Sequence, residues 1–190
     1  MAFEARPVTG GTWSDLVEMF DRPIVRTCFC MYYRKAGDTC AGDLNRRAMK
    51  SLVDRGKVPG LIGYEDGVPV AWVSLGPRED YERLRRSPIM KPVDDRPVWS
   101  IVCFFVDANA RGRGLSARML RAAVDYARSQ GVRLLEAYPV DKDGPSHPDS
   151  MFFGAKSMYD RAGFREVARR KSTRPVVRRA LRPRRATSKG

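Results

Sequence analysis

Residues 99–128 read W-S-I-V-C-F-F-V-D-A-N-A-R-G-R-G-L-S-A-R-M-L-R-A-A-V-D-Y-A-R, and the order of side chains here decides the fold. Trp99 to Val106 is a short apolar run rich in β-branched and aromatic residues, as a buried strand requires. From about Arg113, Leu115, Met119, Leu120, Ala123, Val124 and Ala127 recur at helical spacing along one face. Arg118, Arg121, Asp125 and Arg128 fall on the other side, and Gly131 stands where a helix-ending glycine belongs. Arg111-Gly112-Arg113-Gly114-Leu115-Ser116 joins strand to helix. Such a turn leaves backbone N–H groups unpaired at a helix N-terminus, where they and the helix dipole attract an anion.

Two other readings of this turn compete. Glycine serves many strand-to-helix bends for conformational reasons alone. Gly112 to Ala117 also passes as a degenerate G-x-G-x-x-G dinucleotide fingerprint. That fingerprint belongs in the first strand–helix unit with an acidic residue about 20 positions on. Here the turn lies past mid-chain, and too little parallel α/β sequence follows it. The nucleotide fold is excluded.

At 190 residues the chain has room for one domain with a proper core. Residues 1–180 are expected to form it, with 181–190 a flexible basic tail. No apolar run approaches a membrane span, and Met1-Ala2-Phe3-Glu4 lacks a signal peptide's layout, so the expectation is a soluble cytoplasmic protein with no membrane partner. Cys28, Cys30, Cys40 and Cys103 are expected as free thiols. Cys28-x-Cys30 is too tightly spaced for a zinc knuckle, and the lone His147 cannot complete one, so no metal is expected. Ten Lys or Arg and no acidic residue lie between Arg169 and Gly190, which leaves only +4 of the net +14 to the rest of the chain. Such a tail is either a solvated end or a contact for RNA or another polyanion.

Working outward, Phe3 to Val8 opens the chain as a strand. Thr12-Trp13-Ser14-Asp15 resembles a capping box for a first helix that buries Trp13, Leu16, Val17 and Phe20 and stops at Pro23. Cys28 to Arg34 is rich in sulfur and aromatics and reads as a packed connection. A second helix runs from about Asp43 to Arg55. Gly60–Tyr64 and Val68–Leu75 flank Glu65-Asp66-Gly67, a hairpin signal. Gly76 to Pro97 is charged and proline-punctuated, hence a short helix followed by a surface loop. Val132 to Pro139 is a further strand and Asp141 to Asp149 a loop. A helix starts at Ser150 with Phe152, Ala155, Met158, Tyr159 and Ala162 inward; Phe164 to Ala168 and Arg174 to Val177 are the last strands.

Two stretches carry a specific resemblance. At the glycine turn, Arg111, Gly114 and Ser116 occupy the places of [Q/R]-x-x-G-x-[G/A], with Ser as a small departure at the last. Further on, Ala155, Met158, Tyr159, Gly163 and Phe164 match N-x-x-A-x-x-[L/M]-Y-x-x-x-G-F, with Phe152 at the Asn place. Together they resemble the GCN5-related N-acetyltransferase (GNAT) superfamily over about Leu61 to Ala168. The resemblance implies a mixed α/β (α+β) GNAT fold: a twisted, mostly antiparallel sheet of about six or seven strands flanked by about four helices, split into a V between its central strands. It implies acetyl-CoA as co-substrate, bound by Phe104, Phe105 and Val106 and by Arg111, Gly112, Arg113, Gly114, Leu115, Ser116 and Ala117. Phe152 in place of Asn removes one expected polar contact to the pantetheine arm.

Acetyl transfer from a thioester needs a proton acceptor for the amine, a donor for the oxyanion and a donor for the leaving thiolate. Tyr159 matches the family tyrosine given the last role; its alternative is a core aromatic. Glu136 sits in the apolar strand Leu134-Leu135-Glu136-Ala137-Tyr138 and is either a partly buried base or an outward-facing residue of the alternation. Asp107, Cys103 and His147 are weaker candidates. The N–H of Phe105 or Val106 would hold the carbonyl oxygen. Tyr32, Tyr33 and Arg34 occupy the region that in this superfamily often walls the acceptor pocket. The resemblance thus points to direct acetyl transfer to a primary amine of a small molecule. Transfer to protein or aminoacyl-tRNA, with tRNA reached through the basic tail, is the alternative; a non-catalytic acyl-CoA-binding module is another. A homodimer is common in the superfamily and is not written in these residues.

Overall fold

A computed structural model describes residues 1–36, 41–142 and 152–182. Seven strands form one sheet in the order β1-β2-β3-β4-β5-β7-β6. They are β1 (Phe3–Pro7), β2 (Gly60–Glu65), β3 (Val68–Pro77), β4 (Trp99–Val106), β5 (Leu134–Ala137), β6 (Arg165–Arg169) and β7 (Pro175–Ala180). Every pairing is antiparallel except β4 with β5. That exception follows from connectivity: α5 (Leu115–Ser129) carries the chain back between the two strands. The remaining helices are α1 (Trp13–Phe20), the single turn α2 (Pro23–Arg26), α3 (Asp43–Asp54), the short α4 (Glu82–Arg86) and α6 (Lys156–Arg161).

Helix α5 forms because its apolar residues lie on one face. Leu115, Met119, Leu120, Ala123, Val124 and Ala127 are all buried, against Val73, Leu75, Ile101, Phe104 and Leu135 of the sheet. Each large side chain so buried contributes about 1.5–3 kcal/mol. Gly63 permits the close approach of α5, since a Cβ there would strike the Met119 sulfur. The opposite face is covered in two parts. Leu16, Met19 and Phe20 of α1, Val25, Met49 and Val53 pack over Ile62, Tyr64, Trp72 and Phe105. Tyr81, Leu84, Val102, Tyr138, Phe153 and Val176 form a separate cluster at the β5 side.

Several local expectations shift. The α1 cap is not built on Thr12 toward Asp15: the Thr12 hydroxyl accepts the Thr9 amide at 3.0 Å and donates to the Pro7 carbonyl, fastening the preceding turn. Pro23 opens α2 instead of only ending α1, consistent with its fixed φ at a helix start. Helix α6 begins at Lys156, because Phe152 and Phe153 form a turn, Gly154 takes φ of 73° and Ala155 is extended: Val140 and Ala155 form a parallel bridge, and the Val140 amide donates to the Gly154 carbonyl at 2.9 Å. The Asp-Gly hairpin holds as read, with φ of 48° at Asp66 and 84° at Gly67. Cys40, most of the Asp141–Asp149 loop with His147, Ser150 and the tail from 183 onward lie outside the described residues.

Candidate active site

The sheet opens where β4 outruns β5. Trp99, Ser100 and Ile101 pair with Leu135, Glu136 and Ala137, and the ladder stops there, while β4 continues to Val106. The β3–β4 register shifts between Ser74 and Leu75, so Val102 is an extra residue on β4. The bulge turns Val102 and Cys103 to the same face, and Phe104 then returns to the α5 face.

The backbone edge of β4 beyond the bulge borders this opening. The Phe104 amide donates to the Phe152 carbonyl at 2.6 Å, whereas the Asp107 amide donates to Val70 on β3 at 2.9 Å. Strand alternation therefore turns the Val106 amide toward the opening and the Phe105 amide toward β3. Of the two amides expected for the carbonyl oxygen, Val106 alone faces the gap. Phe105 contributes its ring to the other face, edge-on to Phe20 at 6.2 Å.

The glycine turn stands beside the same edge. A short 3-10 turn, Ala108–Ala110, is capped by Asp107, whose carboxylate accepts the Asn109 amide at 3.0 Å and also meets Arg22 at 3.3 Å. Asp107 is thereby committed. Gly112 and Gly114 take φ of 79° and 72°, values that disfavour any side chain. No side chain caps α5, and nothing lies within 4 Å of a Cβ placed on Gly112 or Gly114. The Ala117 amide donates to the Gly114 carbonyl at 3.1 Å, and the Leu115 and Ser116 amides begin a 15-residue helix with no side-chain cap to block an anion's approach. Leu115 anchors the turn in the core, Ser116 and Ala117 are half-buried, and Arg111 is exposed with Nε on the Val106 carbonyl. Arg113 is turned away, onto Glu65 at 2.9 Å and the Asn109 and Ala110 carbonyls. The open turn fits a pyrophosphate; Arg113 is spent on structure.

Tyr159 is fully buried between Phe104 and Phe164, and its hydroxyl donates to the Phe153 carbonyl at 3.0 Å. Burial raises its pKa well above the ordinary phenol value. It lies under β4 at the opening, beside the Phe152–Gly154 segment that borders it.

Glu136 is fully buried and does not face solvent. Its carboxylate accepts from Arg178 Nε at 2.7 Å, from the Tyr138 hydroxyl at 2.6 Å and from Arg78 at 3.3 Å. Arg178 also pairs with Asp94 at 2.7 Å, which holds the Asp94 carboxyl well below its usual range through that hydrogen bond and one from Arg96. Ser100 completes the chain through Tyr138 at 3.1 Å. Glu136 and Asp94 thus meet three guanidiniums, those of Arg178, Arg78 and the more exposed Arg96. The solvent-facing alternative read from the strand is overturned, and the carboxylate is wholly buried with both oxygens held by hydrogen bonds.

On the face opposite α5 lies a cavity of ≈ 380 Å³. Phe20, Trp72, Phe105, Tyr32, Tyr33, Phe152 and Phe153 supply its aromatic walls, and Cys28, Cys30, Cys103, Val25, Thr27 and Arg174 the remainder. No Asp or Glu lines it among the described residues. Tyr32 and Tyr33 are therefore wall residues. Arg34 is not: its guanidinium stacks on Tyr81 at 4.3 Å and contacts Asp80, the Tyr81 hydroxyl and the Pro59 carbonyl. Phe29 and Cys30 sit at φ of 43° and 53°, an unfavourable backbone for non-glycine residues, at the start of this wall. The Trp72 indole N–H donates to Cys30 Sγ at 3.2 Å, which fixes the thiol inward. A hydrogen bond from Cys103 lowers the Cys30 pKa, while the same contact and burial raise that of Cys103.

Arg174, Phe153 and Trp72 were not legible as site residues. Arg174 reads as one basic residue among many before the last strand. Only the β5–β7 pairing carries it to the Tyr138 carbonyl, 3.3 Å from Nη1, and over the Phe153 ring at 4.7 Å.

The model of the acetyltransferase (GNAT) family matches residues 24–149, and the chain belongs to that family. No curated protein matches it. Among solved structures it is similar to an N-acetyltransferase from Staphylococcus aureus Mu50, with TM-score 0.53 and 15% identity over 95% of this chain and 98% of that one. It is likewise similar to a ribosomal-protein-alanine N-acetyltransferase from Brucella melitensis, with TM-score 0.57 and 18% identity over 94% and 99%. A Salmonella typhimurium structure with its cofactor acetyl-CoA gives TM-score 0.57 and 16% identity over 96% and 95%. These likenesses speak for the GNAT fold. Among the described residues no cluster of His, Cys, Asp or Glu is grouped for a metal, and no helix is long and apolar enough to cross a membrane.

Proposed function

We propose that the protein transfers an acetyl group from acetyl-CoA to a primary amine of a small molecule, by direct attack with both substrates bound. The observation that carries this reading is that two differently built spaces adjoin one strand. An open, uncapped helix turn lies at the end of β4, and a partly open aromatic cavity borders Cys103 and Phe105 on the other face. Its ≈ 380 Å³ suits a small ligand.

Acetyl-CoA supplies the activated thioester. Backbone amides of the turn from Gly112 to Ser116 hold its pyrophosphate, and the Val106 amide at the edge of the opening is aimed to polarise the acetyl carbonyl. Tyr159 serves the leaving thiolate as a hydrogen-bond donor. With its pKa raised by burial, it stabilises that charge more readily than it surrenders its proton outright. This requires its hydroxyl to leave the Phe153 carbonyl.

Glu136 is reassigned in this proposal from base to the centre of the ion network that holds β5, β7 and Arg78 together. The cavity performs part of the base's task by itself. Low polarity and the absence of a carboxylate among the described lining residues disfavour an ammonium, so the acceptor enters as the free amine. The transferred amine's proton then leaves through water at the cavity mouth.

The test is release of CoA thiol and mass-spectrometric detection of acetylated product across small amines, peptides and aminoacyl-tRNA. Turnover on small amines supports the proposal. Turnover confined to peptides or tRNA transfers the function to the alternative acceptors, and acetyl-CoA binding with no turnover on any acceptor indicates a binding module.

A further inference from the structure

We infer that the acceptor is an apolar or aromatic amine that carries a carboxylate, and that Arg174 is the residue that reads the carboxylate. This rests on the acetyl-transfer proposal above and names the substrate class for the same cavity.

The inference starts from charge. Three arginines near the site have carboxylate partners: Arg178 with Glu136 and Asp94, Arg78 with Glu136, Arg34 with Asp80. Arg174 has none among the described residues, and burial lowers its pKa with no acidic group to offset it. One donor reaches the Tyr138 carbonyl at 3.3 Å, and the guanidinium lies over the Phe153 ring at 4.7 Å. A guanidinium offers five N–H donors in a planar fork suited to a carboxylate, so several remain for a ligand. Stacking on Phe153 holds that fork at the cavity wall at little entropic cost.

The rest of the lining fixes the ligand's body and excludes other classes. Phe20, Trp72, Phe105, Tyr33 and Phe153 offer rings and little hydrogen bonding, which suits a flat apolar group. A polyamine or aminoglycoside needs carboxylates for its additional ammonium groups, and Arg174 would repel them. A carboxylate at one end, an apolar body and a single amine near Cys103 satisfy every wall.

The test uses two matched pairs of acceptors: L-phenylalanine with phenylalaninol, and 4-(aminomethyl)benzoate with benzylamine. These place the carboxylate beside the amine or across the ring from it. Each is assayed for acetyl transfer and titrated calorimetrically into the CoA-saturated protein, in wild type, Arg174→Gln and Arg174→Lys. A hydrogen-bonded charge contact predicts that in at least one pair the carboxylate form is preferred by about 10- to 100-fold in kcat/KM and in affinity. Arg174→Gln should erase that preference by loss on the carboxylate form alone, and Arg174→Lys should keep part of it. Equal losses on both members of a pair would make Arg174 a structural residue and overturn the inference, as would the absence of any carboxylate preference in wild type. If no amine is acetylated although acetyl-CoA binds, the transfer proposal fails, and the titrations still decide whether the cavity selects a carboxylate.

Discussion

Replacing Glu136 by Gln separates a base from a structural anion, because the two roles predict opposite effects. The substitution preserves shape and removes one charge that is fully buried. Arg178 would keep only Asp94, and Arg78 would lose its carboxylate. Breaking a buried pair on one side costs about 3–5 kcal/mol. The Arg78 side chain is 15% exposed and can recover some solvation, and the amide still accepts one hydrogen bond, so about 3 kcal/mol is the expected loss. In a domain of this size each kcal/mol moves Tm by about 2–4 °C, which gives a fall of about 6–12 °C. Circular dichroism melts measure that shift, and initial rates taken well below both midpoints measure activity. We expect the large drop in Tm with kcat reduced less than about tenfold, whereas removal of a general base costs about 10²–10⁴-fold. A Tm within about 2 °C of wild type, with kcat down about 10²-fold or more, would refute the structural assignment and restore Glu136 as the base.

Tyr159→Phe should lower kcat by about 10²-fold while leaving the acetyl-CoA dissociation constant unchanged, because the phenol acts on charge that develops only during transfer. Loss of the hydrogen bond to the Phe153 carbonyl should also cost about 1–3 kcal/mol of stability; an unaltered kcat would leave Tyr159 a core aromatic. Alkaline pH should destabilise the fold through its buried phenols. Burial raises the pKa of Tyr33, Tyr138 and Tyr159, and that of Tyr81 to about 12, above the ordinary value of 10.0. Stability from these groups is fully present below pH 10 and is lost as pH rises toward 12 and beyond, since the unfolded chain ionises first. Tm followed from neutral to strongly alkaline pH, with phenolate absorbance, should show buried tyrosines ionising together with unfolding. Titration of all seven near pH 10 with an intact fold would contradict this.

The order of elements was legible because its signals are local. Periodicity marked α5, the Asp-Gly pair marked the β2–β3 hairpin, and two short motifs placed the glycine turn and Tyr159 on the elements where they occur. The roles of charged residues were not local. Glu136 reads alike whether it meets an amine or Arg178, because its partner is 42 residues away and arrives only through the β5–β7 pairing. Arg34 stands beside two wall tyrosines in sequence, and its guanidinium is nevertheless drawn to Asp80 and Tyr81. The choice between the Phe105 and Val106 amides depends on which strand edge faces the opening, and the pairing partners decide that. Composition cannot show that an aromatic cavity has, among the described residues, one cation and no carboxylate in its lining. That fact emerges once Cys28–Tyr33, β4, Phe152–Phe153 and Arg174 are brought together.

The most direct test of the account is calorimetric titration of acetyl-CoA into wild-type protein and the Gly114→Val variant. The φ of 72° at Gly114 strains any side chain by about 1–2 kcal/mol, but no protein atom lies within 4 Å of the new Cβ, so the variant should still fold. The added side chain should keep the pyrophosphate from the α5 amides. Loss of about two charge-assisted hydrogen bonds predicts affinity weaker by about 10²–10⁴-fold. A folded variant that binds acetyl-CoA within about threefold of wild type, or a wild-type protein that does not bind it at all, would contradict the assignment of this turn and of the site built around it.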